Sequence, residues 1–360
     1  MEFKTSINIG KSKISINNPT YFIADIASNH DGSLGRAKEL IWLAKESGAN
    51  AVKFQHFKAD KIVSDLGFKQ LGNEIGHQST WKKSVYDVFK ENELNREWNL
   101  ELIEEAKKAE IDFFTTPYDV EAVDLINDFL PAYKIGSGDI TWTDFIEYIA
   151  KKGKPTLLAT GASNFEDVKR AVSTALKYNN QLIIMQCNTN YTGSLENFKF
   201  INLNVLKTYS TMFPNAILGL SDHTPGHATV LGAITLGARV IEKHFTDDND
   251  RIGPDHMFSM NPNTWAEMVA RARELELALG DGVKIVEMNE KETVVVQRRA
   301  IYLKSDLNEG EIITEEDIEF LRPAPSNAFF PYDIKRVIGS KLSKPKYKGD
   351  VLMKGDLEVL

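Results

Sequence analysis

The sequence predicts an α/β protein, a (β/α)8 TIM barrel followed by a small C-terminal module. Three observations carry this. From Tyr21 to Ile241, short apolar runs recur, each followed by polar or glycine residues and then by a helical pattern. Eight such runs can be drawn, the number that closes a parallel barrel. At 360 residues the chain exceeds one average domain, and its pattern changes character after Gln297.

Taken in order, residues 3–16 alternate apolar and polar positions (INIG, then KISIN) about a Gly-Lys-Ser turn, which reads as a hairpin plugging the bottom of the barrel. Strands are expected over 21–24, 51–54, 112–115, 132–135, 155–159, 182–186, 217–220 and 239–241. The helices between them carry start and stop signals. Ser33 can cap LGRAKELIWLAKESG, where Leu40, Leu43 and Ala44 share a face and Gly48 ends the helix. Ser163 and Asn164 open FEDVKRAVSTALKYN in the same way. The second connection, 58–95, is too long for a plain loop and carries His77, Gln78 and Trp81, so it reads as a lid or a substrate wall. The repeat stops around 283–297, where VEMNEKETVVVQRR reads as a final helix running into a linker. The expected boundaries are a barrel at 1–285, a linker at 286–298 and a module at 299–360 with turns at Gly310 and Gly349. So small a module is marginal alone and should dock on a larger surface.

Composition narrows the function. With 42% hydrophobic and 26% charged residues the chain can bury a sizeable core. Its 43 basic against 51 acidic residues, net −8, argue against nucleic acid or an anionic membrane as partner. No apolar run approaches the ~18 residues of a spanning helix, and the start lacks a signal peptide's apolar segment, so a cytoplasmic location is expected. The single cysteine, Cys187, excludes an intrachain disulfide and a multi-thiolate zinc site. Ending the run LIIMQC, it reads as a buried structural residue, with a catalytic thiol as the alternative.

The chemistry gathers at the strand ends, which open onto one face of such a barrel. In ILGLSDHTPGHATVLGAITLGARVIEKHFTDDNDRIGPDH, His223 and His244 end successive strands and can converge on one divalent ion; otherwise each is a polar turn residue. Asp25, Lys53, Gln55, Thr115, Thr116, Lys134, Ser137, Asp139, Thr160, Gly161, Asn188, Thr189, Asn190, Tyr191, Ser221 and Glu242 complete a ring. Lys53 and Lys134, with hydroxyls and the N–H groups of Gly136 and Gly161 nearby, suit a ligand bearing phosphate and carboxylate. A lysine inside an apolar strand with no anion would be buried unpaired. The acids Asp25, Asp139, Glu242 and Asp255 can carry protons, bind sugar hydroxyls or form structural salt bridges. Asp119, Asp222 and Glu166 read as surface or capping residues.

The motifs IADIASNHDG, VKFQ, FFTTPYD, YKIGSGD, LATGAS, GLSDHTPGH and EKHFTDDNDRIGPDHMFSMNP resemble, in order and spacing, the sialic acid (nonulosonic acid) synthase family. RRAIYLKSDLNEGEIITEEDIEFLRP is similar to that family's C-terminal antifreeze-like domain, of β-clip type. The resemblance implies condensation of phosphoenolpyruvate (PEP) with an open-chain N-acyl mannosamine-type sugar. N-acetylneuraminate synthase is the first reading, with legionaminate or pseudaminate synthase, or a 3-deoxy-aldulosonate phosphate synthase, as alternatives. It implies a divalent metal on His223 and His244, Mn²⁺ in the first place with Mg²⁺ or Co²⁺ as alternatives. PEP would meet Lys53, Thr116, Lys134, Ser137, Thr160, Thr189 and Ser221. The sugar would meet Asp25, Gln55, Asp139, Tyr191, Asp255 and Arg322, with Arg322 reaching the partner subunit's site in a domain-swapped homodimer. Asp25 or Glu242 would handle the proton of a reacting water. Four positions depart from the family pattern: Asp25 and Asp139 stand where Glu is common, Ala159 replaces a serine, and Thr189 aligns with an asparagine flanked here by Asn188 and Asn190. After Arg322 and Pro323 a common Gly-x-Gly gives way to Ala-Pro-Ser-Asn-Ala.

Overall fold

The computed structural model describes residues 2–71, 78 and 81–358; His77 lies outside the described residues. Two compact units divide the chain, Met1–Gly280 and Asp281–Leu360.

The first unit opens with an antiparallel hairpin, β1 (Ser6–Ile9) and β2 (Ser12–Ser15). Eight parallel strands follow: β3 (Tyr21–Asp25), β4 (Ala51–His56), β5 (Asp112–Pro117), β6 (Tyr133–Ile135), β7 (Thr156–Ala159), β8 (Leu182–Cys187), β9 (Ile217–Asp222) and β10 (Ala238–His244). They close in the order β10-β3-β4-β5-β6-β7-β8-β9, the expected barrel. Its helices are α1 (Leu34–Glu46), α2 (Ala59–Ile62), α3 (Asp65–Leu71), α4 (Val85–Glu91), α5 (Asn99–Lys108), α6 (Val120–Ile126), α7 (Thr143–Lys151), α8 (Phe165–Leu176), α9 (Val205–Met212), α10 (Ala228–Thr235) and α11 (Pro262–Leu279).

Local chemistry accounts for these boundaries. The Ser33 side chain accepts from Arg36 N at the start of α1, and Asn164 and Asp167 form a reciprocal cap on α8. In α11, Asn261 caps, Pro262 takes the first turn, and Trp265 is fully buried against Phe245 with ring centroids 5.5 Å apart. The hairpin covers the N-terminal ends of the strands: Ile7, Ile9 and Ile14 join the barrel core, and Lys4 N bonds Asn180 O just ahead of β8. Gly10 (φ +54°) passes so close to Asp112, the first residue of β5, that a Cβ there would lie 1.8 Å from its carboxylate.

Six of the eight strands run past their expected C-terminal ends, β10 to His244 rather than Ile241. Apolar patterning stops at the first charged residue, whereas main-chain pairing does not depend on the side chain. Asp25 therefore pairs with Lys53, Gln55 with Thr116, and Glu242 with Ser221 inside the ladder. The last helix of the barrel unit is α11, ahead of the expected one; the charged stretch after it holds a 3-10 turn (Met288–Glu290) and the short α12 (Lys291–Gln297).

The second unit contains α12, β11 (Ala300–Leu303), the antiparallel β12 (Ile318–Leu321) and α13 (Ile334–Val337). It has its own core around Ile301, Leu303, Ile313, Phe329 and Leu352.

Candidate active site

The C-terminal strand ends surround a cavity of about 260 Å³. Alternation along each strand decides which side chains reach it. Lys53, Gln55 and Phe57, two apart, all line it, as do Ser221 and His223 on one strand and Glu242 and His244 on the next.

Four charges make its floor. Lys53 Nζ donates to Asp25 Oδ2 (2.7 Å) and Thr116 Oγ1 (2.9 Å), and Gln55 donates to the same Asp25 oxygen (3.0 Å). Lys134 Nζ donates to Glu242 Oε1 (2.6 Å), with Ser221 Oγ 3.2 Å from that oxygen. Lys53 also lies 3.9 Å from Glu242, so the charges alternate in one buried chain. Burial pushes the Asp25 carboxyl up, but the Lys53 ammonium beside it outweighs this and holds it below the usual carboxylate range. Asp25 has both oxygens engaged, since Oδ1 accepts from Ala27 N (3.1 Å). Glu242 does not: its Oε2 is buried without a hydrogen-bond partner.

The two histidines of β9 and β10 do converge, with ring centroids 5.3 Å apart. His223 Nδ1 lies 2.9 Å from Asn188 O, so Nδ1 carries the proton and Nε2 keeps a free lone pair. Burial, with the neighbouring His244, pushes the His223 imidazole down to about 3, so it is neutral at pH 7. His244 Nδ1 is buried and unpartnered, 3.8 Å from Asp255 Oδ2, too far for a hydrogen bond. Tyr191 packs 4.3 Å from the His223 ring, and Phe258 packs 4.9 Å from that of His244. The neutral, ring-locked His223 with its free lone pair, beside the orphaned Nδ1 of His244, fits a divalent ion. Among the described residues no group of three His, Cys, Asp or Glu could hold one, so such an ion would keep open positions.

Ser137 Oγ lies 3.0 Å from Thr189 Oγ1, and Gly161 (φ +40°) runs against both. A Cβ on Gly161 would lie 2.2 Å from Ser137 Cβ, so only glycine lets the three segments meet. Of the three neighbours in QCNTNYT, Thr189 lines the cavity, whereas Asn188 donates to Phe200 O and Asn190 accepts from Thr192 and Asn197. Tyr191 and Asp255 also line it, and Asp255 accepts from Ser28 N (3.1 Å).

Other residues face elsewhere. Thr160 Oγ1 donates to Met185 O (3.1 Å), and Thr115 Oγ1 donates to Phe54 O (2.8 Å). Asp139 lies outside the lining, its Oδ2 buried without a partner, and burial pushes its carboxyl up to about 6. Arg322 belongs to the second unit, where it is exposed just after β12. The reading of Asp222 as a surface or capping residue is corrected: it is buried, 2.5 Å from Lys243 Nζ, and accepts from Thr224 and Thr229. Asp222 and Lys243 alternate with the inward residues of β9 and β10 and so pair on the outer face, a choice that strand phase makes and composition does not. Asp119 does cap α6, accepting from Ala122 N (2.8 Å). Cys187, by contrast, lines the cavity from the end of β8; it is buried, and burial pushes its thiol up, as suits a structural residue.

Sequence reasoning assigned no role to Tyr118, Phe57, Ile62, Val88 or Phe89, all of which line the cavity. They form the wall contributed by the ends of β4 and β5 and by the long second connection. The available signal was the aromatic and aliphatic content of that connection, together with the tyrosine of FFTTPYD.

Comparison with known proteins agrees with this fold. The profile of the NeuB family matches residues 40–284, and that of the SAF domain matches residues 298–358. The N,N'-diacetyllegionaminic acid synthase of Legionella pneumophila is 36% identical over 341 residues, which cover 92% of this chain and 93% of that protein. A pseudaminic acid synthase of Campylobacter jejuni is 32% identical over 344 residues, covering 94% and 96%. Among solved structures, the N-acetylneuraminic acid synthetase of Leptospira borgpetersenii, in complex with citrate, superposes with a TM-score of 0.71 at 28% identity, covering 81% of this chain and 96% of that one. Among the described residues no helix is long and apolar enough to cross a membrane.

Proposed function

The chain belongs to the NeuB family of nonulosonic acid synthases, transferase-type enzymes, and from that premise we propose that it condenses PEP with an N-acyl mannosamine-type sugar. The methylene carbon of PEP bonds to the sugar's aldehyde carbon, water adds at the second carbon of PEP, and phosphate leaves. N-acetylmannosamine, giving N-acetylneuraminate, and 2,4-diacetamido-2,4,6-trideoxy sugars, giving legionaminate or pseudaminate, are the acceptors in question.

The observation that carries this reading is the buried set of Lys53 with Asp25 and Lys134 with Glu242. Without a ligand these charges cancel. A substrate bringing both carboxylate and phosphate adds negative charge that the set alone does not offset, and at a few ångströms each uncompensated charge in so dry a site is worth about 4 kcal/mol. A cation at His223 and His244 meets that deficit, and Arg322 would add to it. Mn²⁺ is the first choice there, with Mg²⁺ or Co²⁺ as alternatives; bound, it would supply Lewis acidity toward the aldehyde oxygen.

The chain's own groups do the rest. Lys53 and Lys134 orient the phosphate and carboxylate of PEP, with hydroxyls from Thr116, Ser137, Thr189 and Ser221. Thr160, whose hydroxyl is committed to Met185 O, would contribute through its main chain. Gln55, Tyr191 and Asp255 hold the sugar. Of the two carboxylates, Glu242 is the better holder of the water's proton, because its Oε2 is open while both oxygens of Asp25 are engaged. Asp139, outside the lining, would act on the sugar only indirectly. Arg322 would serve the site of the partner subunit in a domain-swapped homodimer.

A 3-deoxy-aldulosonate phosphate synthase is disfavoured, because a phosphorylated sugar needs a further basic cluster. Among the described residues lining the cavity, the only lysines or arginines are Lys53 and Lys134. The test is phosphate release from PEP with Mn²⁺ and each candidate sugar, the product identified by mass. No release with any N-acyl mannosamine-type sugar would overturn the proposal.

A further inference from the structure

We infer that Asp222 and Lys243 form a positioning pair, which ties the strand end carrying His223 to the strand end carrying His244 and so sets how well the two imidazoles take up a divalent cation. This rests on the reading above, in which that cation binds at these histidines. Each member of the pair precedes one histidine in the chain, and strand register puts the two directly opposite one another in β9 and β10. Because successive side chains alternate, both face away from the cavity that His223 and His244 line.

The contacts bracket His223. Before it, Asp222 Oδ2 lies 2.5 Å from Lys243 Nζ, and each side chain is 1% exposed. After it, Thr224 N and Oγ1 donate to Asp222 Oδ1 (3.2 and 3.1 Å), while Thr224 O accepts from Lys243 Nζ (2.6 Å). Thr229 Oγ1, in α10, donates to Asp222 Oδ2 (2.7 Å) and fixes the carboxylate from the helix side. The main chain on both sides of His223 is thus held by the residue that precedes His244. The His244 ring is tethered differently from that of His223: its Nδ1 is unpartnered, and its Nε2 stands 3.6 Å from Asp25 Oδ2, beyond hydrogen-bond length. Its place relative to His223 therefore follows from the main chain and from packing against Phe258. A buried ion pair is a poor source of stability, since apolar side chains of similar volume do as well or better. What this one adds is a short, directional link between two ligand-bearing strands, and contacts behind the ligands of a metal govern its affinity.

The test compares Lys243→Met with the double variant Asp222→Asn/Lys243→Met in the full chain, reading Mn²⁺ affinity by electron paramagnetic resonance of the free ion and stability by denaturant unfolding. The single variant leaves Asp222 buried without its cation, and should be both less stable and weaker for Mn²⁺. The double variant removes the unpaired charge, so its unfolding midpoint should return most of the way to the parent's. Its Mn²⁺ dissociation constant should nevertheless stay about ten-fold or more above the parent's, because the link between the strands is still missing. Should the single variant fail to fold, the double variant decides alone. Parental Mn²⁺ affinity in the double variant would make the pair a structural ion pair and overturn the inference, leaving the proposed function standing. A double variant no more stable than the single one would show that the pair serves the fold, and would overturn it as well. A parent chain that binds no Mn²⁺ removes the metal reading and this inference with it.

Discussion

Replacing Lys134 by Met tests whether the floor of the cavity binds an anion or merely balances its own charges. Lys134 Nζ sits 2.6 Å from Glu242 Oε1, and the two side chains are 3% and 5% exposed. Removing one partner of so buried a pair costs about 3–5 kcal/mol of stability, less whatever Glu242 recovers by taking up a proton. Losing a charge-assisted contact to PEP costs a further ~1.5–3 kcal/mol of binding, so the PEP dissociation constant should rise about ten- to a hundred-fold. The double variant Lys134→Met/Glu242→Gln separates the two effects, because it restores the parental net charge of the floor without restoring the contact. Denaturant unfolding should show the single variant destabilised and the double variant largely recovered. Calorimetric titration should show PEP binding weak in both. Parental PEP affinity in the single variant would remove Lys134 from the binding site. Parental affinity in the double variant would mean that only the net charge of the floor matters.

His223→Ala or His244→Ala should abolish condensation and Mn²⁺ binding, read by electron paramagnetic resonance of the free ion, while leaving the melting temperature near that of the parent; near-parental turnover in chelated buffer would refute the metal role. Asp139, raised to about 6 by burial, keeps a proton in the folded state that the unfolded chain releases near pH 3.9. Stability should therefore fall as pH rises from about 4 to about 6 and stay lower above that, by the linkage of proton uptake to folding. Asp139→Asn should be more stable than the parent at pH 7, with the gain vanishing near pH 4; parallel urea midpoints across that range would contradict this. For the domain-swapped homodimer, mixing inactive Arg322→Ala chains with inactive His223→Ala chains should restore activity, because in a mixed dimer one site carries both lesions and the other neither. Confirmed subunit exchange without activity would return Arg322 to its own chain.

What the sequence determined by itself was whatever depends on local order. Eight apolar runs, each ending in polar residues and followed by a capped helix, were enough for the closed barrel, because strand and helix periods are written in neighbouring residues. The same reading placed His223 and His244 on successive strand ends, and ring centroids 5.3 Å apart bring them together. Partner choice was not legible. Asp222 and Ser221, or Lys243 and Glu242, look equivalent in the sequence, yet strand phase turns one of each pair outward into a buried salt bridge and the other inward to the cavity. Closure of the barrel also made Asp25 the partner of Lys53 and Glu242 the partner of Lys134, the latter 108 residues apart. It selected Thr189 between two asparagines, and it brought the long second connection against Phe57 and Tyr118 as an aromatic wall. These are contacts between residues distant in the chain, and their geometry follows from how the strands close rather than from what stands beside each residue.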